Sequence, residues 1–208
     1  MSDGFLLVSY VFDRGRADDR MEVLRDAIEE DEGLDLWGVN IEKIQTDTDS
    51  YVVEVDRNVP PRDRSAITVA LKPDRMVGDS GKRYVEDALD VLTSVYQITE
   101  PLYVYGMHVG QMEMVGRDVD PPVTESSLAG DRINYPSWLM AFSPAMVQEY
   151  GQEFLTRLPA DHVEELGDGG VLVVGRDDFT SCEFPRDVEQ ATLESRETLA
   201  EAFGDRLA

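Results

Sequence analysis

Two histidines, one cysteine and two glycine-rich stretches are the places where this sequence could hold chemistry. His108 stands in the aromatic run Tyr103-Val104-Tyr105-Gly106-Met107-His108, and His162 in Asp161-His162-Val163-Glu164-Glu165. A zinc centre needs three or four ligands at reproducible spacing, and neither histidine has a second His or a Cys nearby. Both read as ordinary surface or core histidines. A nucleophilic cysteine needs a base and an electropositive niche, but Cys182 is flanked by Asp177, Asp178 and Glu183, which raise a thiol pKa rather than lower it. Gly106–Gly110 and Gly167–Gly170 lack the Lys-Ser/Thr of a phosphate loop, and the second run leads into a strand, as a tight turn does. No Gly-x-Ser-x-Gly elbow occurs. With 43 Asp plus Glu, any two carboxylates can be drawn as a general acid and base, so such a pairing has no diagnostic weight. The residues therefore assign no catalytic group, no metal and no cofactor. What remains is a recognition set, since Tyr, Trp and Arg dominate binding hot spots: Trp37, Tyr103, Tyr105, Arg132, Tyr135 and Trp138. Trp37 and Trp138 also read as core residues, because large aromatics usually bury, whereas Arg132 and Tyr135 on a long loop read as exposed contacts.

The elements that must position these residues follow from hydrophobic periodicity. Phe5–Phe12 is a near-continuous apolar run of strand length. Met21, Leu24, Ala27 and Ile28 recur at helical spacing, predicting a helix over about residues 17–31 that stops near Gly33. Residues 34–50 show no clear period, with Trp37 anchoring a loop. Tyr51–Val55 and Ala66–Leu71 read as paired antiparallel strands across a Pro60-Pro61 connection. Ser80 caps a long helix lined by Tyr84, Val85, Ala88, Leu92, Val95 and Tyr96. Tyr103–Val109 is a strand, with Met112–Val115 continuing it. Residues 116–136 show no period, and Pro121-Pro122 forbids regular structure there, so this reads as a long functional or flexible loop. Ser137–Phe142 is a strand, and Ser143-Pro144 caps a helix whose buried face is Met146, Val147, Tyr150, Phe154 and Leu158. His162–Leu166 is a short helix or strand, Val171–Val174 a strand, and Val188 to Phe203 a final amphipathic helix. The fold class is α+β: a largely antiparallel sheet with helices packed on it, a β-α-β-β-α start and a second half of similar size. The expected organisation is one domain over 1–208, with lobes 1–115 and 137–208 joined by the loop 116–136.

Charge narrows the partners. The formal net charge is −24, from 24 Asp and 19 Glu against 16 Arg and three Lys. The acids are dispersed along the chain rather than gathered in a tail. Dispersed carboxylates with scarce lysine fit a protein of an extremely salty cytoplasm. At molar salt the Debye length falls to about 3 Å, so like-charge repulsion is nearly silenced while hydrated carboxylates keep the chain soluble. No basic stripe exists to replace phosphate counterions, so nucleic acid is not an expected partner. No apolar run is long enough for a membrane span and Met1-Ser2-Asp3-Gly4 does not read as a signal peptide, so a cytoplasmic location is expected.

As an ordered set the segments resemble a bacterial group. An apolar first strand ends in an Arg-containing turn, and a lone Trp37 follows the first helix. Leu71-Lys72-Pro73 leads into a long helix, and Ser137-Trp138-Leu139-Met140-Ala141-Phe142-Ser143, a Gly169-Gly170 strand and Asp177-x-Phe179 follow. This layout is similar to the immunity protein 52 family of polymorphic toxin systems, small α+β proteins that neutralise a co-encoded toxin of nuclease type. Residues 102–136 depart from it. The family carries no catalytic motif, so the resemblance implies a protein partner, a toxin, without naming a site. The expectation is a non-enzymatic binding protein. Two alternatives stay open: a hydrolase using acidic residues with a divalent metal, which sequence cannot exclude because such sites need few carboxylates, and a structural or oligomer-forming protein.

Overall fold

The apolar run after Gly4 forms β1 (Leu6–Val11), and the periodic segment after it forms α1 (Ala17–Glu30). Then come β2 (Asp35–Leu36), β3 (Glu42–Gln45), β4 (Ser50–Asp56), β5 (Ala66–Leu71), α2 (Pro73–Met76), α3 (Gly81–Thr99), β6 (Tyr103–His108), α4 (Val109–Met114) and α5 (Glu125–Ala129). β7 (Leu139–Phe142), α6 (Pro144–Tyr150), α7 (Gln152–Leu155), β8 (His162–Glu165), β9 (Val171–Val174) and α8 (Pro185–Phe203) complete the order. This computed structural model describes residues 4–30, 35–36, 42–56, 60–61, 64–116 and 119–208. Gly33 and Trp37 lie outside them.

The described strands form one sheet of nine, in the order β2-β3-β4-β5-β1-β6-β7-β9-β8. Every neighbouring pair is antiparallel. The expected α+β class holds, as does the pairing of β4 with β5. Successive residues of a strand face opposite sides of a sheet, and both sides are covered here. Leu6, Val8 and Tyr10 of β1 pack with Met21, Leu24 and Ile28 of α1 and with Tyr84, Leu92 and Val95 of α3 in one core. Val11 of the same strand belongs to a second core with Tyr103, Tyr105, Met140, Phe142, Tyr150 and Leu155. Burying one such side chain contributes about 1.5–3 kcal/mol. Helix α8 belongs to both cores: Val188 and Ala191 sit in the first, Leu199 and Phe203 in the second.

Four expectations change. Met112–Val115 does not continue a strand, because the chain turns into α4 once His108 caps it: the His108 Nδ1 accepts from the Gly110 N–H at 3.2 Å. Residues 116–136 are not featureless. Thr124 and Ser127 cap α5 reciprocally, Thr124 Oγ1 accepting from Ser127 N and Ser127 Oγ from Thr124 N. The helix expected after Pro144 breaks at Gly151, whose φ of 85° suits glycine and ends α6 before α7 begins. Neither Ser80 nor Ser143 caps its helix through its side chain. At the start of α3 the requirement is instead for Gly81, since a Cβ there would run into the Met76 carbonyl oxygen. Two strands, β2 and β3, fall in the stretch 34–50 where no period was visible, and His162–Leu166 resolves to the edge strand β8. Among the described residues no helix is long and apolar enough to cross a membrane.

Candidate functional site

The recognition set of the sequence divides sharply. Tyr103 and Tyr105 project from β6 into the second core with no exposed surface. The Tyr105 hydroxyl donates to the Pro60 carbonyl at 2.8 Å, and the Tyr103 ring packs on Phe142 at 5.5 Å. Burial pushes both phenol pKa values upward. Trp138 lies in the first core, edge-on to Phe179 at 6.2 Å. Its Nε1 leans on Gly106, where a Cβ would stand 2.7 Å away, so that glycine makes room for the indole. Tyr103, Tyr105 and Trp138 hold the cores together and present nothing to a partner. Arg132 and Tyr135, expected as free contacts, are half-buried and engaged. Arg132 donates to the Arg206 carbonyl at 2.6 Å. Tyr135 lies under the guanidinium of Arg196, whose Cζ is 4.3 Å from the ring centre.

Arg196 is the reason this loop is fixed. It is 6% exposed, and its Nε and Nη2 donate to the carbonyls of Pro136 and Asp120 at 2.9 and 2.7 Å. Burial pulls its pKa below the ordinary guanidinium value, while Tyr135 and Asp120 oppose that shift.

A concave surface lies elsewhere, between the loop after β9 and α8. This cleft has a volume of about 460 Å³ and is lined by Arg176, Thr180, Ser181, Glu194, Ser195 and Thr198, with Asp161 and Asp178 at its edge. Arg176 donates from Nε to the Asp178 carbonyl at 2.9 Å and from Nη2 to Ser181 Oγ at 3.1 Å. Asp178 Oδ1 accepts from both the amide and the hydroxyl of Thr180, which holds its pKa below the usual carboxylate range. A Cβ on Gly175 would collide with Ser195 Oγ, so the glycine allows α8 to close on the end of β9. The lining is a fixed guanidinium among hydroxyls and carboxylates, a surface made for hydrogen bonding.

Three residues along the chain from the cleft-lining Ser181 is an exposed aromatic that sequence reasoning missed. Phe184 precedes α8 and is 50% exposed. The Asp187 carboxylate accepts from the amides of Glu183 and Phe184 at 3.1 and 2.9 Å, which locks the entry to the helix. Arg186 lies over the Phe184 ring at 4.9 Å, with its side chain 79% exposed. One signal was available: a phenylalanine occupies the cap position before Pro185, where helices favour Ser, Thr, Asp or Asn.

Neither histidine nor the cysteine lines the cleft. His162 Nε2 lies 3.4 Å from Glu164 on the edge strand, and His108 pairs with Glu189. The Cys182 thiol is buried, and burial pushes its pKa up. Among the described residues no group of three or more His, Cys, Asp or Glu is placed to hold a metal ion.

No protein-family model matches this chain, and no curated protein matches it. Among solved structures it is similar to the Pseudomonas aeruginosa T6SS protein PA0821, at 12% identity and a TM-score of 0.46, covering 93% of this chain and 73% of that one.

Proposed function

We propose that this chain is a non-catalytic protein-binding module, an immunity-like inhibitor of a toxin, working in a high-salt cytoplasm. Its contact surface is the segment from Arg176 to Arg186 with the adjoining solvent side of α8. The observation that carries the reading is Phe184, a large aromatic left half-exposed at the start of α8, its amide held by the Asp187 carboxylate and its ring covered by the Arg186 guanidinium. Aromatic and arginine side chains fixed before contact are the usual energetic centres of interfaces, because little conformational entropy is lost when they bind. The layout resemblance to the immunity group agrees with a protein partner. At molar salt long-range steering by the acidic surface is screened to about 3 Å, so shape and the Phe184–Arg186 pair carry the affinity.

The reading expects a basic toxin-like protein encoded beside this one, and the test is co-expression with it. Growth is restored by the wild-type chain, and Phe184→Ala weakens the complex by about 30-fold in calorimetry. Unrelieved toxicity with the folded wild-type protein present overturns the reading.

A further inference from the structure

Two opposite charges line the cleft between the loop after β9 and α8, and they do not meet. Arg176 is the cation of the lining, and Glu194 stands on the α8 wall. The Arg176 Nε donates to the Asp178 carbonyl at 2.9 Å and its Nη2 to Ser181 Oγ at 3.1 Å, while the buried Phe179 ring centre lies 5.8 Å from its Cζ. The Asp178 carboxylate is taken up by the Thr180 amide and hydroxyl at 2.8 and 2.6 Å, so it does not answer the guanidinium. Two of the five guanidinium N–H groups are spent, and the other three have no partner among the described residues. Elsewhere in this chain Arg20, Arg25, Arg64 and Arg75 each lie against a carboxylate. Glu194 is held in turn by a neutral neighbour, accepting from Gln190 Nε2 at 3.1 Å, and among the described residues it makes no ion pair with Arg176.

We infer that the cleft binds a small zwitterion of α-amino-acid type, its carboxylate on the unspent N–H groups of Arg176 and its ammonium on Glu194. A guanidinium meets a carboxylate through two parallel N–H groups, and this one is fixed before the ligand arrives, so little conformational entropy is lost. A simple anion is disfavoured because Asp161, Asp178 and Glu194 share the lining. A simple cation is repelled by Arg176 and leaves its N–H groups unanswered. A molecule carrying both charges satisfies both walls. The volume of about 460 Å³ suits a small-molecule site. The hydroxyls of Thr180 and Thr198 already donate, to Asp178 and to the Glu194 carbonyl, so they offer lone pairs and favour a ligand side chain that donates. Contacts at hydrogen-bond distance lie within the Debye length of about 3 Å that molar salt leaves.

Nitrogen–proton NMR of the isolated protein in molar potassium chloride at neutral pH tests the site, with L-serine as the probe. Its two halves are the controls: ethanolamine lacks the carboxylate, and 3-hydroxypropionate lacks the ammonium. L-Serine moves the Arg176 Nε and Ser195 amide signals saturably with a Kd of about 1 mM, and each half binds at least about tenfold more weakly. In Glu194→Gln, a change at an exposed position, L-serine weakens about tenfold while 3-hydroxypropionate does not. In Arg176→Lys, which keeps the charge and loses the paired N–H groups, L-serine weakens about tenfold while ethanolamine does not. Glu194→Gln carries the test by itself if the lysine disturbs the loop. An L-serine titration without saturable shifts overturns the proposal. So does ethanolamine binding as tightly as L-serine, which makes the cleft a simple cation site, and so does Glu194→Gln with wild-type affinity. The titration needs no partner protein, so its failure leaves the interface reading untouched, and unrelieved toxicity leaves the zwitterion site untouched.

Discussion

Helix α8 contributes the arginine to two arginine–aromatic pairs that are alike in chemistry and differ in everything else. Near its middle Arg196 covers Tyr135 at 4.3 Å, and at its start Arg186 covers Phe184 at 4.9 Å. The first guanidinium is buried and donates to two backbone carbonyls of the long loop; the second is open to solvent and has no such duty. Composition does not distinguish a pair that fastens a loop from one that meets a partner. The difference lies in which backbone groups the arginine must satisfy.

Removing the fastening should have the largest effect. Arg196→Met strands the Pro136 and Asp120 carbonyls, the first of them buried, and is expected to cost about 3 kcal/mol in urea denaturation, with proteolytic cleavage appearing within 119–136. A loss below about 1 kcal/mol would mean the loop holds itself through its own cap and turns. Phe184→Ala is expected to cost about 2 kcal/mol of partner binding while moving unfolding stability by no more than about 0.5 kcal/mol. Equal losses in both would place Phe184 with the scaffold rather than the surface. Tyr135→Leu keeps the arginine's carbonyl bonds and removes only the ring, so about 1 kcal/mol is expected in the same denaturation assay.

The smallest effect concerns the middle of the long loop. Arg64 donates to both carboxylate oxygens of Glu125 at 2.7 and 3.0 Å, and this holds the Glu125 pKa below its ordinary value. A carboxylate depressed in the folded state contributes stability above its unfolded pKa and loses that contribution as pH falls through the folded one. Glu125→Gln should therefore flatten the acid limb of the stability profile without changing its shape above neutrality. The partly exposed pair is worth less than about 1 kcal/mol.

Much of the architecture could be read from periodicity alone. The apolar runs of β1, β7 and β9 and the amphipathic faces of α1, α3 and α8 stand where the spacing puts them. What periodicity hides is local structure with unusual caps. Helix α4 begins at a histidine, and α5 closes its capping box with Ser127 where the familiar signature has Glu or Gln. The site was less legible for a physical reason. An aromatic strand such as β6 looks equally fit for a core or a binding face, and only coverage of both sides of the sheet decides for the core. Phe184 went unnoticed because its exposure depends on how α8 docks, which no local pattern encodes.

That docking also has a consequence during synthesis. Because α8 supplies Val188 and Ala191 to one core and Leu199 and Phe203 to the other, neither side of the sheet is sealed until it arrives. A ribosome delivers every described strand before this helix. The nascent chain therefore passes through an interval in which its strands are paired but both cores stand ajar, the kind of species that long-range topology makes slow to close and prone to stick. In that interval the hydration of its many carboxylates acts as the nascent chain's own holdase, keeping unfinished copies dissolved until the clasp closes.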